Sequence, residues 1–259
     1  MKHSFQIRQL PRYIAKRWIR IEIPYLGSIF CILLISLAFC IANEIPFTID
    51  LRRFLHHLFY TAPFAGQQWY NPIYWTLAIE MQFYLLIALL FPLISKSSEV
   101  FKFVIPLLIA VSALMITDDR IVLHYGAIFS RGILLLLWEQ KKINSTLGMI
   151  GILIAAVLTA LVNGIDVAIA CILTITAIKC FVIDKPATNN LGNISYSLYL
   201  LHGLIGGNII YFFGRNIASF PVKFLLVIIA ILFSILGSYI YWLVIEKPSQ
   251  TWSKKFKIK

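Results

Sequence analysis

Charged residues are what this chain lacks. They make up 13% of its 259 residues against 60% hydrophobic, and the mean hydropathy is +0.84. A soluble domain is excluded, because such a composition would leave far more apolar surface than water tolerates. Strict polar–apolar alternation is also missing from the long apolar runs, which excludes a transmembrane barrel. Backbone groups left unsatisfied in lipid are avoided only by helices or closed barrels, so the chain is expected to be an all-α, multi-pass integral membrane helical bundle.

Cysteine is sparse as well. Cys31, Cys40, Cys171 and Cys180 fall in or beside apolar spans and form no CxxC or Cys/His cluster. They are expected to be small apolar fillers, and no metal site is expected. No cleavable signal peptide is expected, since residues 1–20 are basic and interrupted where an apolar core should run. The two halves show no convincing internal repeat, which counts against a carrier.

What is present is a series of apolar runs. Eight candidate spans lie at about 23–42, 75–95, 101–117, 122–138, 146–163, 165–183, 194–213 and 222–245, separated by polar hinges such as SKSSEV, TDDR, EQKKINS, NGID and DKPATNN. With the N-terminus inside, 17 of the 23 Lys and Arg residues fall on the cytoplasmic side: Lys2, Arg8, Arg12, Lys16, Arg17, Arg20, Lys96, Lys102, Lys141, Lys142, Lys179, Lys185, Lys247, Lys254, Lys255, Lys257 and Lys259. Only Arg52, Arg53, Arg120, Arg215 and Lys223 fall outside, and Arg131 lies within a span. Both termini are therefore expected in the cytoplasm. The net charge of +12 then reads as a topology signal, and no nucleic-acid partner is expected.

The chain is expected to be a single membrane domain over residues 1–259, with a cytoplasmic basic segment at 1–22, an outer loop at 43–74 and a cytoplasmic basic tail at 246–259. The outer loop is rich in aromatics, Pro and Gly and carries His56 and His57. It fits an interfacial anchoring belt with a re-entrant or surface helix. The functional alternative is a platform whose ring faces, with Gln67, Gln68 and Asn71, hold a hydroxyl-rich acceptor.

Ionisable groups inside or at the edge of spans are functional-site hypotheses by default, because a charge there is costly. Glu80 interrupts the apolar run WTLAIEMQFYLLIALLFPLI, and it is joined by Arg131, His124 and His202. At 1.5 Å per residue, Glu80 lies roughly 7 Å below the outer start of its helix, and Arg131 and His202 roughly 12–14 Å into theirs. The groups could share one cavity, or Glu80 and Arg131 could form a buried ion pair that fixes packing. Ser195, Tyr199 and His202 stand at i, i+4 and i+7, on one helical face. Such a stripe either bonds helices together or lines a polar path.

Several segments resemble a known family. WTLAIEMQFYLL is similar to a WSLSVEEQFYLL-type signature, LGNISYSLYLLHGL to LGxxSYSLYLxH, and VIEKPSQTW to a closing xxEKP element. YIAKRWIRIEIPYL resembles an RRxxRIxPxYL stretch, and FSRGILLLL an FxxGxLLxL helix. These are motifs of the membrane acyltransferase family three, and they occur here in the family's order across essentially the whole chain. The resemblance implies a bacterial inner-membrane O-acyltransferase, moving a group other than amino-acyl, commonly acetyl, from acyl-CoA such as acetyl-CoA to a hydroxyl of a cell-surface glycan. It implies no bound cofactor, with acyl-CoA as co-substrate.

Carried over by residue, the resemblance makes Glu80 and His202 catalytic candidates, joined by Arg131 from the intramembrane charges. Arg17, Arg20, Ser195, Tyr196, Tyr199 and Trp75 are candidates for substrate binding. Guanidinium forks suit the donor phosphates, which is the role expected of Arg17 and Arg20. Met81 stands where the family usually has a second glutamate. The family also begins with two further helices, the first carrying a histidine to which the general-base role is ascribed. The chain is thus expected to be a shortened member of doubtful activity alone, with membrane lipid, a glycan acceptor and a separate polypeptide supplying those helices as partners. A transporter or flippase, or an inactive remnant, is the competing class.

Overall fold

The computed structural model describes residues 9–180, 186–215, 217 and 219–255; of residues 95–96 and 186–190 it describes the backbone only. Lys2, Arg8, Lys185, Lys257 and Lys259 of the charge count, and the end of the 165–183 span, lie outside the described residues.

Among the described residues the regular structure is all helical, with no strand. The helices are α1 (Leu10–Ala42), α2 (Leu51–Leu58), α3 (Tyr74–Lys96), α4 (Glu99–Met115), α5 (Gly126–Glu139), α6 (Ser145–Val162), α7 (Ile165–Cys180), α8 (Pro186–His202), α9 (Asn208–Gly214), α10 (Phe220–Tyr241) and α11 (Lys247–Lys254). Single π-helical turns at Gly203–Gly207 and Trp242–Glu246 join α8 to α9 and α10 to α11. Six of the helical stretches are long and apolar enough to cross a membrane, fewer than the eight expected. The difference lies in α4 and α7, which are helices where the pattern placed them but have 17 and 16 described residues.

The described residues form two compact units, one over residues 76–180 with the first described residues 9–10, the other over residues 11–75 together with the described residues from 186 onward. The first contains the rest of α3 with α4 to α7. Its core gathers Ile94, Ile109, Ile133, Leu134, Leu137 and Ile143. Beside it Ala110, Ala113, Ala127 and Ala155 let helices approach closely, as small residues do where lipid offers no hydrophobic drive. Gly126 is the limiting case, because a Cβ there would fall onto the Ile109 carbonyl oxygen. At one end, the Glu99 carboxylate accepts the Asn144 N–H at 2.7 Å, tying two interhelical turns together. Elsewhere in the unit Gln82 accepts the Val122 N–H and donates to the Arg120 carbonyl, both at 2.9 Å.

The second unit contains α1, α2, the loop to Trp75, and α8 to α11. Pro24 inside α1 has no N–H, so the Arg20 carbonyl loses its partner four residues on. Ser249 on α11 meets that need, its hydroxyl lying 3.4 Å from the Arg20 carbonyl and 3.3 Å from that of Ile19. Tyr196 donates to the Ile21 carbonyl at 3.0 Å, and Tyr241 makes a short bond to that of Pro24. The loop between α1 and α3 carries a short surface helix, α2, capped by Asp50, whose carboxylate accepts the Arg53 N–H at 2.9 Å. Of the platform residues, Asn71 is buried and already engaged, donating to the Leu200 carbonyl and accepting the Ile73 N–H.

Candidate functional site

The polar stripe on α8 lines a groove of about 840 Å³ between α8, the π turn after it and α10. Ser195, Tyr199 and His202 all face it, opposite Ala230, Ser234 and Ile235. His202 is exposed there, and its Nδ1 lies 2.8 Å from the Tyr199 carbonyl and 3.1 Å from that of Leu198. A carbonyl only accepts, so Nδ1 is the donor, which leaves Nε2 as the ring nitrogen that can act as an acceptor. The π turn follows His202 directly, and its Gly203, Gly206 and Gly207 keep the groove floor free of side chains. At Gly206 a Cβ would meet the Ser234 hydroxyl at 2.7 Å, so that side chain would have to turn away.

The stripe is therefore both path and glue. Ser195 turns its hydroxyl back to the Gly192 carbonyl at 2.8 Å, and Tyr199 donates to the Ile73 carbonyl at 2.8 Å. Tyr196 points away from the groove and bonds α8 to α1 through Ile21. Arg17 and Arg20 occupy i and i+3 on α1 and share a face. Arg17 lies over the Tyr13 ring at 5.8 Å, and the Arg20 side chain is exposed. Trp75 is exposed near the start of α3.

In the first unit, Glu80 is half-buried and accepts a short bond from the Tyr84 hydroxyl, four residues on. The ion pair with Arg131 considered from the sequence is not formed. Gln82 is bonded to Val122, which places Glu80 level with the start of the next span, whereas Arg131 lies nine residues further, roughly 13 Å at 1.5 Å per residue. Arg131 is 1% exposed and donates from Nη1 to the Ala168 carbonyl at 3.4 Å. Its Nε and Nη2 have no partner among the described residues. His124 is a satisfied structural histidine, with Nδ1 donating to the Ile116 carbonyl at 2.9 Å and Nε2 facing the Asn163 amide nitrogen at 3.4 Å.

Two buried acids escaped the sequence reading. Glu246 accepts the Ser197 N–H at 3.1 Å, a short bond from the Ser197 hydroxyl, and the Gln250 amide at 2.8 Å, so it fastens α8 to the π turn after α10. It belongs to the EKP segment already singled out. Glu22 is buried and accepts the Tyr60 hydroxyl at 2.8 Å on Oε2, while Oε1 has no partner among the described residues. Tyr60 stacks on Tyr25 at 5.0 Å, and Tyr25 meets Tyr74 edge-on at 4.8 Å. Burial, then the Glu22 carboxylate, pushes the Tyr60 phenol far above its ordinary value, so it stays a donor. The available signal was that Glu22 is the sole acid in the 33 residues of α1.

The loop around α2 is held by a second polar knot. His57 is fully buried; its Nδ1 donates to the Arg53 carbonyl at 2.8 Å and its Nε2 accepts the Tyr70 N–H at 3.0 Å. The Arg53 guanidinium lies 4.1 Å over the Tyr70 ring and donates to the carbonyls of Gln68 and Trp69. Burial lowers the His57 pKa, and the Arg53 charge pushes the same way.

Comparison with known sequences decides the family. The profile of the acyltransferase 3 family, described as "Acyltransferase domain", matches residues 4–243. The chain belongs to the acyltransferase 3 family. No curated protein and no solved structure matches it significantly. Membership and membrane-spanning helices together make this a membrane acyltransferase-family protein.

Proposed function

We propose that this acyltransferase 3 protein moves an acyl group, commonly acetyl, from acyl-CoA to a hydroxyl of a glycan or similar acceptor, in a bacterial inner membrane with both termini cytoplasmic. The observation that carries it is His202, whose Nδ1–H is held by its own helix while Nε2 is the basic atom beside an open groove. In this reading Nε2, in place of the first-helix histidine to which the family's base role is ascribed, takes the acceptor hydroxyl proton, the oxygen attacks the thioester carbonyl, and the carbon–sulfur bond breaks. The coenzyme A thiolate then leaves and takes up the proton from His202, returning the ring to its starting form. General-base assistance of this kind contributes about 10²–10⁴-fold.

Ser195 and Tyr199 border the same groove and are assigned to the acceptor side, with Trp75 as an aromatic contact. Tyr196, bonded to α1, positions the helix that carries His202. Arg17 and Arg20 are assigned to the donor phosphates. Glu80 and Arg131 are proposed to act in the first unit, Glu80 as a carboxylate held by Tyr84 and Arg131 as a buried cation with two donors to offer. The lysine and arginine asymmetry supports the orientation.

Proteoliposomes of the purified chain, supplied with acetyl-CoA and a soluble glycan, test the reaction class. Acceptor-dependent release of the free coenzyme A thiol supports transfer. Uptake of the glycan without thiol release would replace the enzyme reading with a carrier.

A further inference from the structure

The surface helix α2 is amphipathic in an inverted sense. Its inward side carries Arg53 and His57, both engaged in the knot described above. Its outward side carries Leu51, Leu55 and Phe59, at i, i+4 and i+8, exposed by 65%, 47% and 66%. Such a stripe is unfavourable against water and favourable against hydrocarbon, by roughly 25 cal/mol for each Å² covered. Beside it run Arg52 and His56, also at i and i+4. These residues, with Thr61, line one cleft of about 560 Å³.

The polar groups of that cleft differ in how they are committed. His56 Nδ1 meets the Thr61 hydroxyl at 2.9 Å. Asp50, the acid at the head of the helix, is engaged as the cap by the Arg53 N–H. The Arg52 side chain makes no hydrogen bond or ion pair among the described residues, although the residue lines the cleft. One side of the cleft is thus a cation with uncommitted donors and the other is apolar. Free phosphate would use only the cation and a lipid without phosphate only the apolar side, while in a zwitterionic phospholipid the headgroup's own cation offsets the attraction of its phosphate to Arg52.

We propose that this cleft holds an anionic phospholipid, with its phosphate on Arg52 beside His56 and the upper part of an acyl chain along Leu51, Leu55 and Phe59. The site is independent of the acyl-transfer reading and lies on a segment outside the six membrane-spanning stretches. It makes α2 a lipid-binding interfacial helix, of the kind that combines buried apolar area with attraction to anionic headgroups.

The full chain in detergent micelles, mixed with phosphatidylglycerol or phosphatidylcholine and read by native mass spectrometry, tests this. Phosphatidylglycerol should be retained in preference, and Arg52→Gln should weaken its retention by about fivefold, the effect of one arginine near an anionic lipid surface. Phosphatidylcholine, whose choline offsets its phosphate, should lose less retention than phosphatidylglycerol on Arg52→Gln. Leu55→Ser should weaken retention of both lipids, and millimolar inorganic phosphate should displace neither. Equal retention of phosphatidylglycerol by wild type and Arg52→Gln overturns the proposal. Displacement by inorganic phosphate would assign the site to free phosphate instead.

Discussion

Replacing Arg131 by methionine should make the protein more stable. The guanidinium is 1% exposed and has one hydrogen bond, at 3.4 Å to the Ala168 carbonyl, with Nε and Nη2 unpartnered among the described residues. An unsatisfied buried donor costs about 1–3 kcal/mol, and such a charge costs more. The bond lost is worth about 0.5–1.5 kcal/mol, and an imperfect hydrophobic refit costs under about 1.5 kcal/mol. Relief of two orphan donors therefore outweighs the loss, and the net expectation is a gain of about 1–3 kcal/mol. Reversible unfolding in bicelles, by denaturant titration of wild type and Arg131→Met, measures the difference. Acyl transfer by the same variant should fall, because a costly buried charge kept for function is a stability–activity compromise. Destabilisation by more than about 2 kcal/mol would refute the reasoning, since it would mean that the fork is already satisfied.

Other expectations follow from the knots. Tyr60→Phe leaves the buried Glu22 without its hydrogen bond and should cost about 2–3 kcal/mol in the same titration, most of it recovered when Glu22→Gln is added. His57 is buried neutral with a lowered pKa, so the unfolded chain takes up the proton first; stability should fall as pH drops below about 6.5, and His57→Gln should flatten that slope. Glu80→Gln should leave membrane insertion intact and abolish transfer. Unaltered turnover would remove Glu80 from the chemistry.

The helices were legible because their apolar runs are long and their hinges polar, and α4 and α7 differ from expectation only in length. The face shared by Ser195, Tyr199 and His202 followed from helical spacing alone, and the structure adds that it borders a groove. The relation of Glu80 to Arg131 was not legible. Depth counted from the apparent start of each span took no account of Gln82 bonding to Val122, which sets the level of α3. Glu22 and Glu246 were missed for a different reason. Each sits at the end of an apolar run, where a carboxylate looks solvated, and only the fold brings Tyr60 and Ser197 against them. The double use of Tyr199, lining the groove and bonding the Ile73 carbonyl, likewise depends on contacts between residues 126 apart.

The central claim is that His202 Nε2 is the base for acyl transfer. Single-turnover transfer from radiolabelled acetyl-CoA to a glycan acceptor, comparing wild type with His202→Gln in proteoliposomes of matched protein content, tests it most directly. The account predicts a fall of about 10²–10⁴-fold in the transfer rate with little change in donor affinity. Transfer by His202→Gln at the wild-type rate would contradict it.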